Sequence, residues 1–363
     1  MKIMTVLGTR PEIIRLSRIM VRLDQLCSHV IVHTGQNYDF RLNGLFFEEL
    51  GLRAPDHVLE IKGSLAAQWA ALFTECERLL LDEQPDRVLI LGDTNSGLVA
   101  ILAKRMGIPV IHLEAGNRCF NDQVPEEVNR RLIDHASDIL LPYTEGGRRN
   151  LLSEGIPGNR IYVIGNPIFE VITHYERAIS ASQILFQLGI APREYFLVTL
   201  HRAENVDDVS RLGNFISALD RLQQRYQLPV IVSTHPRTRD KMRNFGIEPR
   251  SVQVQFHPPF GFFDFVFLER HARCVLSDSG TVQEECALAN VPSVTLRRET
   301  ERPETLECGC NTLTGDDPES ILNGIERCLH ERCQNRIPME YLYPQVSHSV
   351  AQIALGYYSQ RVV

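Results

Sequence analysis

HLEAGNR, residues 112–118, begins inside a short apolar run that ends at Leu113, and the chain continues through a polar loop into VPEEVNRR, residues 124–131. The second stretch enters a predicted helix through two carboxylates and two arginines. In open α/β sheets, ligands and catalytic groups collect at the carboxyl ends of the strands. So many ionisable groups just past a strand end predict that this stretch is the chemical centre of an α/β protein.

Size and composition restrict the class of protein. The chain has 363 residues, 44% of them hydrophobic and 23% charged, which fits a soluble protein of two domains. A net charge of -7 argues against nucleic acid or an anionic membrane as a general partner. No apolar run approaches the roughly 20 residues of a membrane span. The chain enters a strand directly from Met1, which predicts that it has no signal peptide.

Cysteine usage predicts a cytoplasmic protein with reduced thiols. Nine cysteines are spread along the chain, and only Cys308 and Cys310 lie close together in sequence. No metal-ligand spacing is present, so we expect no metal site.

Outward from residues 112–118, apolar runs closed by polar turns alternate with helical patterns, which predicts a parallel sheet built from βαβ units. In the first half we predict strands at 2–7, 29–34, 87–91, 110–113, 138–142 and 161–164. In the second half we predict strands at 195–200, 229–233, 252–256, 274–277 and 291–296, and a last helix at 347–358. The pattern restarts near residues 165–175. We therefore predict two Rossmann-like domains, 1–166 and 167–345, a C-terminal helix in 346–363, and a ligand cleft between the domains.

DSGT at residues 278–281 follows a strand and opens a helix. Ser279 is predicted to cap that helix, and Gly280 would let a phosphate approach the backbone amides. Glu284 and Glu285 follow one turn later, within reach of a ribose hydroxyl. An ordinary capped helix would show the same pattern.

Three further residues lie at strand ends. Arg10 stands between a glycine turn and a helix start, where it could bind phosphate or be a surface arginine. His201 and His235 follow successive strands of the second half, which favours a site over two structural histidines.

Asp93, Glu114 and Glu126 all belong to strand-end loops of the first half, with Arg118 and Arg130 between and after them. Such a group is typical of an acid/base cluster whose pKa values are pushed apart. A structural salt-bridge network would also fit these residues. The sequence contains a predicted phosphate-binding site but no metal or nicotinamide motif. It therefore indicates non-redox chemistry on a phosphorylated substrate.

Taken together, the motifs resemble the non-hydrolysing UDP-N-acetylglucosamine 2-epimerases. The likeness extends nearly from end to end and is carried, in order, by GTRPE (8–12), TGQ (34–36), GDT (92–94), EAG (114–116), PEEVNR (125–130), GN (165–166), HR (201–202), DSG (278–280) and TERPE (300–304).

This resemblance implies the GT-B architecture, with the C-terminal helix crossing back to the first domain. It implies a UDP-sugar substrate, an anti elimination of UDP to a 2-acetamidoglycal with re-addition, a homodimer, and neither metal nor NAD. Asp93, Glu114 and Glu126 would form the acid/base set, and His201 would assist departure of UDP. The implied binding residues are Arg10, Arg15, Arg130, His235, Phe265, Ser279, Gly280, Glu285 and Arg302, with Phe265 stacking on uracil and Glu285 taking the ribose.

The sequence also departs from the family. Arg15 stands where lysine is usual, which changes the hydrogen-bonding geometry but keeps the charge. The allosteric glutamines of the family are not evident: Asn43 stands near the position of one, and GSL (63–65) replaces the usual glutamine-containing loop, which argues against allosteric activation by UDP-N-acetylglucosamine. The loop 117–123 resembles the branch acting on UDP-2-acetamido-2,6-dideoxy-L-hexoses, so the sugar stays open between the two classes. The residues are also compatible with a GT-B glycosyltransferase, a hydrolysing epimerase or a UDP-sugar-binding protein without activity.

Overall fold

The computed structural model describes residues 1–35, 40–330 and 337–356, without the side chains of residues 40–43. The described chain forms two compact units. The first is Met1–Thr173 together with the chain from Met339 onward, and the second is His174–Pro338. The domain limits predicted from the sequence, after residues 166 and 345, lie several residues away from these.

The first unit is a parallel sheet whose strands alternate with helices along the chain. Its strands are β1 (Lys2–Leu7), β2 (Ser28–His33), β3 (His57–Val58), β4 (Arg87–Leu91), β5 (Val110–Leu113) and β6 (Ile139–Leu141). Its helices up to the boundary are α1 (Arg10–Leu26), α2 (Phe40–Glu49), α3 (Leu65–Glu83), α4 (Val99–Arg105), α5 (Pro125–Ala136), α6 (Glu145–Ser153) and α7 (Pro167–His174). Short 3-10 turns occur at Asn95–Leu98, Gly158–Arg160 and Met339–Leu342.

The strand order of the first sheet is β3-β2-β1-β4-β5-β6, which is the Rossmann order. β4 and β5 are buried at every residue, since helices cover both faces, and this explains why they read as unbroken apolar runs. The order reverses between β1 and β4. Their carboxyl ends therefore border the crevice in which such sheets bind ligands.

The second unit repeats this order as β12-β11-β10-β7-β8-β9. Its strands are β7 (Phe196–Leu200), β8 (Val230–Thr234), β9 (Val254–His257), β10 (Cys274–Ser277), β11 (Ser293–Thr295) and β12 (Asn311–Leu313). Its helices are α8 (Glu176–Ser180), α9 (Ile184–Leu188), α10 (Ala203–Val206), α11 (Val209–Tyr226), α12 (Pro236–Phe245), α13 (Phe262–His271), α14 (Gly280–Ala289), α15 (Pro303–Glu307) and α16 (Pro318–His330). Here the switch point lies between β7 and β10, which end just before His201 and Asp278.

The last described helix, α17 (Val346–Gly356), belongs to the first unit and packs on α1. The backbone N–H of Ser347 donates to the carboxylate of Glu170 at 2.7 Å. The guanidinium of Arg87 donates to the backbone oxygen of Ala354 near the other end of the helix. The predicted helix 347–358 extends past the described residues at its end.

The predicted α/β class with two Rossmann-like domains is confirmed by the two parallel six-stranded sheets. The cleft between the domains stays a prediction. The strand predicted at 161–164 is wrong as a regular element: Ile161 forms an isolated bridge to Leu140, and Tyr162 and Ile164 donate single N–H groups to the backbone beside it. β3 and β12 were not predicted. No described helix is long and apolar enough to cross a membrane.

Candidate active site

Glu12 ties together the two loops at the switch point of the first sheet. Its Oε2 accepts the backbone N–H groups of Gly8 at 2.8 Å and Thr9 at 2.7 Å, and its Oε1 accepts the hydroxyl of Thr94 at 2.8 Å. Glu12 was not among the predicted site residues. The sequence carried a signal for it, since Thr9 followed three residues later by a glutamate is the capping-box pattern at a helix start.

Glu12 is expected to make stability depend on pH. Burial raises the pKa of Glu12 to about 7 from an ordinary value of 4.5, against the opposing effect of its donors. Because the folded protein holds the proton of Glu12 more tightly than the unfolded chain does, protonated Glu12 contributes folding stability. That contribution is fully present below pH 4.5 and is lost as the pH rises to about 7. The loss is on the order of 3 kcal/mol at about 1.4 kcal/mol per pKa unit. Thermal unfolding of wild type and Glu12→Gln between pH 4.5 and 8 measures it, and parallel profiles would contradict the assignment.

Glu114 and Arg15 form a buried ion pair just past β5. Glu114 has φ +67°, a left-handed conformation that is strained for a residue with a side chain. Its N–H donates to the backbone oxygen of Leu141, so the sheet continues through the strained residue. The Arg15 guanidinium donates to Oε2 of Glu114 and lies 5.6 Å from the ring centre of Tyr143. Two predicted site residues are thus brought together.

Arg130 joins the loop after β4 to the start of α5. Its Nη2 donates to Asp93 Oδ2 at 2.6 Å, and its Nη1 donates to Glu127 Oε2 at 2.8 Å. The side-chain amide of Asn129 donates to the backbone oxygen of Asp93 at 2.9 Å. Asp93 keeps 20% of its side chain exposed. Asn129 holds its backbone oxygen and Arg130 holds its carboxylate.

Glu126 differs from the other two predicted carboxylates. Its Oε2 is buried and accepts no hydrogen bond from any described residue. Asn129 and Arg130 follow it by three and four positions on α5, so the three side chains share one helix face. The other two contact Asp93. A buried carboxylate oxygen without a partner is free to accept a proton from a ligand.

Glu127 anchors the loop 117–123. Burial would raise its pKa, but the amide of Cys119 and the guanidinium of Arg130 outweigh burial and hold the pKa of Glu127 below its usual range. Its two oxygens accept the N–H groups of Cys119 and Phe120, each at 3.0 Å. Phe120 is held at φ +56° with 70% of its surface exposed.

Arg118 does not belong to an acid/base cluster, which corrects that part of the sequence interpretation. Its fully buried side chain pairs with Asp134 at 2.8 Å and with Glu154 at 2.7 Å. Asp134 also lies 2.8 Å from Nδ1 of His112 and accepts the N–H of Gly116. Burial would raise the pKa of Asp134, but His112 and Arg118 hold it below its usual range. This network is structural and supports the turn after β5.

Arg10, the first residue of α1, is half-buried, and its guanidinium carbon lies 5.4 Å from the ring centre of Phe46. The side chain of Asn43 and residue Gln36, named in the sequence analysis, lie outside the described residues.

In the second unit, the switch point is organised by Asp278. This fully buried carboxylate accepts the backbone N–H groups of His201 and Arg202, both at 3.0 Å, and the side-chain amide of Asn205 at 3.1 Å. Its Oδ1 lies 3.1 Å from Nδ1 of the His201 ring. The ring centres of His201 and His235 are 6.1 Å apart, so the two predicted histidines meet. His235 is the N-cap of α12 and its Nδ1 accepts the N–H of Arg237.

Ser279 occupies the N-cap position of α14, but the predicted side-chain cap is wrong. Its hydroxyl lies 2.9 Å from the hydroxyl of Thr281 instead, and it caps no backbone N–H of the helix. A Cβ at Gly280 would lie 2.6 Å from Glu301 Oε1 and 2.9 Å from Cζ of Arg302. A side chain at position 280 would therefore displace the ion pair between Arg302 and Glu301.

Arg302 is 3% exposed and is held by two carboxylates. Its Nε donates to Glu284 at 2.9 Å and its Nη1 donates to Glu301 at 2.7 Å. Glu284, predicted to reach a ribose, is engaged in this pair. Glu285 is buried in the same helix, and Phe265 is half-buried on α13. Within the described part of the chain, no cluster of three or more His, Cys, Asp or Glu side chains could hold a metal ion.

Comparison with known proteins gives consistent matches. The sequence model of the family described as UDP-N-acetylglucosamine 2-epimerase matches residues 21–354. The chain is 40% identical over 341 residues to the UDP-N-acetylglucosamine 2-epimerase of Methanocaldococcus jannaschii, covering 92% of this chain and 93% of that one. It is 37% identical to the UDP-2,3-diacetamido-2,3-dideoxy-D-glucuronate 2-epimerase of Pseudomonas aeruginosa, with coverage of 92% and 94%.

Solved structures match equally well. The M. jannaschii UDP-GlcNAc 2-epimerase, in complex with UDP-GlcNAc and UDP, has a TM-score of 0.94 at 37% identity and covers 98% of this chain and 100% of its own. The enzyme of the same name from Rickettsia bellii has a TM-score of 0.91 at 38% identity, with coverage of 98% and 96%.

Proposed function

This chain belongs to the UDP-N-acetylglucosamine 2-epimerase family and is an isomerase of that family, and from that premise we propose that it inverts C2 of a UDP-2-acetamidosugar. The proposed route is anti elimination of UDP to a 2-acetamidoglycal, followed by re-addition of UDP. The observation that carries this proposal is the buried Oε2 of Glu126, which has no partner among the described residues and stands three and four positions before the two residues of α5 that contact Asp93. Removal of a weakly acidic C–H proton needs a carboxylate that is desolvated and not already neutralised by a partner.

The three carboxylates of the first unit have different surroundings, which supports different roles. Glu114 is paired with Arg15, and Asp93 is paired with Arg130. Oε2 of Glu126 has no such partner in the described chain. We assign removal of the C2 proton to Glu126 and proton delivery to the opposite face of C2 to the paired set, since carboxylates with unlike environments are suited to opposite acid/base tasks.

The second unit is proposed to bind UDP. When the C2–H bond breaks, its electrons form the C1–C2 double bond and the C1–O bond breaks toward the β-phosphate. Negative charge then develops on UDP, and fixed hydrogen-bond donors stabilise it. We assign this to His201, Arg302 and the amides at the start of α14, with Glu285 at the ribose and Phe265 at the uracil. The M. jannaschii structure that resembles this chain contains UDP-GlcNAc and UDP, which supports UDP as the leaving group.

Exchange of the C2 hydrogen tests the proposal directly. In D₂O, the recovered UDP-sugar and its C2 epimer should both carry deuterium at C2, measured by NMR. Retention of hydrogen at C2 would overturn the elimination route and would favour a glycosyltransferase or a binding protein. Accumulation of UDP with a free sugar would indicate a hydrolysing enzyme.

The loop 117–123 supports a second substrate class, the UDP-2-acetamido-2,6-dideoxy-L-hexoses. Phe120 presents an exposed aromatic ring from a backbone held by Glu127, close to the proposed proton chemistry. An apolar ring there favours a C6 methyl group over a C6 hydroxyl or carboxylate, because polar groups lose water without gaining a partner. A 37% identical relative is named for a uronate sugar, so sugar choice varies within the family.

Phe120→Ala is expected to lower kcat/KM for the 6-deoxy substrate relative to UDP-N-acetylglucosamine by about 10-fold, the usual value of one methyl-sized apolar contact. Steady-state kinetics on both substrates measure the ratio. Phe186→Ala, which removes another exposed ring in the second unit, is the control and should leave the ratio unchanged. An unchanged ratio in Phe120→Ala would contradict the role of this loop in sugar choice.

We further propose a cytoplasmic homodimer that supplies surface polysaccharide precursors. The eight described cysteines are all free thiols, which supports a reducing compartment.

Leu65, with 59% of its surface exposed, begins an apolar surface on α3 that includes the exposed Ala66, Ala67 and Ala70, and this surface supports self-association. Sedimentation at micromolar concentration tests the dimer, and a monomer there would contradict it.

A further inference from the structure

His201 and Asp278 contact each other through the ring as well as through the backbone. Oδ1 of Asp278 lies 3.1 Å from Nδ1 of His201, while Oδ2 accepts the backbone N–H groups of His201 and Arg202. Asn205 donates to the same Oδ2. Three donors other than the ring therefore fix the position of the carboxylate.

The surroundings of Asp278 favour its ionised form. Burial would raise its pKa, but the charge and hydrogen bond of His201, with the N–H groups of Arg202 and His201, hold the pKa of Asp278 well below its usual range. An ionised carboxylate only accepts hydrogen bonds. Nδ1 of His201 must therefore carry a proton.

The opposite ring nitrogen is available to a ligand. Nε2 of His201 makes no hydrogen bond with the described residues, and 39% of the side chain is exposed. The neighbouring charged and titratable groups are His235, with its ring centre at 6.1 Å, and Arg202, which pairs with Glu301 at 3.4 Å and Glu204 at 3.6 Å. Asp278 is the carboxylate in contact with the ring itself.

We propose that Asp278 is a positioning residue that holds the His201 proton on Nδ1 and points Nε2 at the departing diphosphate. The proposal rests on the function proposed above, in which His201 assists departure of UDP. In the proposed transition state, Nδ1–H stays on the Asp278 carboxylate and Nε2–H donates to a phosphate oxygen as the C1–O bond breaks, so that the carboxylate balances the positive charge of the ring. An acid that orients a histidine in this way is a recurring device in acyl-transfer enzymes.

Asp278→Asn is the informative variant, because it keeps the shape and removes the charge. The amide oxygen can still accept the two backbone N–H groups, whereas the NH₂ group then faces Nδ1, which must become an acceptor. We expect kcat to fall by about 10²-fold, within the range for residues that orient a catalytic histidine. The dissociation constant for UDP should stay within about threefold, since the other contacts assigned to UDP are unchanged.

A double-mutant cycle separates positioning from a merely structural role. His201→Gln alone should lose turnover, and Asp278→Asn added to it should cost nothing further, because Asp278 acts through the ring. Asp220→Asn is the matched control. Asp220 is another buried carboxylate of this unit that accepts backbone N–H groups, those of Arg250 and Ser251, and contacts no histidine among the described residues. Its replacement should lower stability without changing kcat.

¹⁵N NMR of histidine-labelled protein gives a readout that does not depend on the variants folding. In wild type, His201 Nδ1 should be protonated and its Nε2 resonance should respond to UDP. An unprotonated Nδ1, a wild-type kcat in Asp278→Asn, or losses that add in the double variant would each overturn the proposal. A wild-type kcat in His201→Gln, or no C2 exchange by the wild-type enzyme, would overturn the proposed function and this inference with it.

Discussion

Glu126→Gln is expected to reduce kcat by about 10²–10⁴-fold, the range of a general base removed from its reaction. The amide cannot take a proton from C2, while its size and shape match the carboxylate it replaces. Because Oε2 of Glu126 accepts no hydrogen bond from the described residues, no partner is lost and the melting temperature should change little. Binding of UDP should also persist, since the contacts assigned to UDP lie in the second unit. Measurement of C2 deuterium incorporation, together with UDP titration, checks both parts.

Glu145→Gln provides the matched control for that experiment. Glu145 also stands in the first turn of a helix, but it is exposed and pairs with Arg148 on the surface. Its replacement should leave turnover unchanged, because exposed ion pairs contribute about 0–1 kcal/mol. Wild-type C2 exchange by Glu126→Gln would remove Glu126 from the proton transfer and leave Asp93 and Glu114 as the candidates.

The fold was predictable where strands are buried on both faces. Residues 87–91 and 110–113 were predicted with the bounds that β4 and β5 have, because central parallel strands are unbroken apolar runs between polar turns. Edge strands lack this signal. His57–Val58 is two residues long and Asn311–Leu313 begins with a polar residue, so neither stands out from a loop. The apolar stretch 161–164 failed in the opposite way. Its backbone runs along β6 and donates N–H groups to the backbone oxygens of Leu140 and Pro142, but it forms an isolated bridge and not a regular strand.

The site was predictable as a set of positions, but not as a set of partners. Asp93, Glu114 and His201 were found because each follows a strand end. Which of Glu126 and Glu127 accepts structural hydrogen bonds depends on their direction around α5, and adjacent helical residues point about 100° apart. The arginine three positions after Glu127 was a signal for a local ion pair. Long-range pairs such as Glu114 with Arg15 carry no such signal, because tertiary packing alone brings them together.

Arg15→Met is expected to destabilise the first unit by about 3–5 kcal/mol, the usual cost of leaving one charge of a buried pair without its partner. Arg15 is 2% exposed and Glu114 is 6% exposed, so water cannot replace the lost guanidinium. Turnover should fall as well, since Glu114 belongs to the proposed acid/base set and would lose the group that orients it. Arg22→Met on the same helix is the control, because Arg22 contacts His348 at 3.4 Å on the surface and its loss should cost less than about 0.5 kcal/mol.

The double variant Arg15→Met/Glu114→Gln distinguishes a stability effect from a chemical one. Removing both charges abolishes the buried unpaired carboxylate, so much of the lost stability should return, with a coupling energy of about 0.5–3 kcal/mol in urea unfolding. Turnover should not return, because neither the carboxylate nor its cation is restored. Arg15→Lys keeps a cation but not the planar guanidinium, and should lose less of both properties. If the two single variants instead add in the double one, the pair is not coupled, and Arg15 does not orient Glu114.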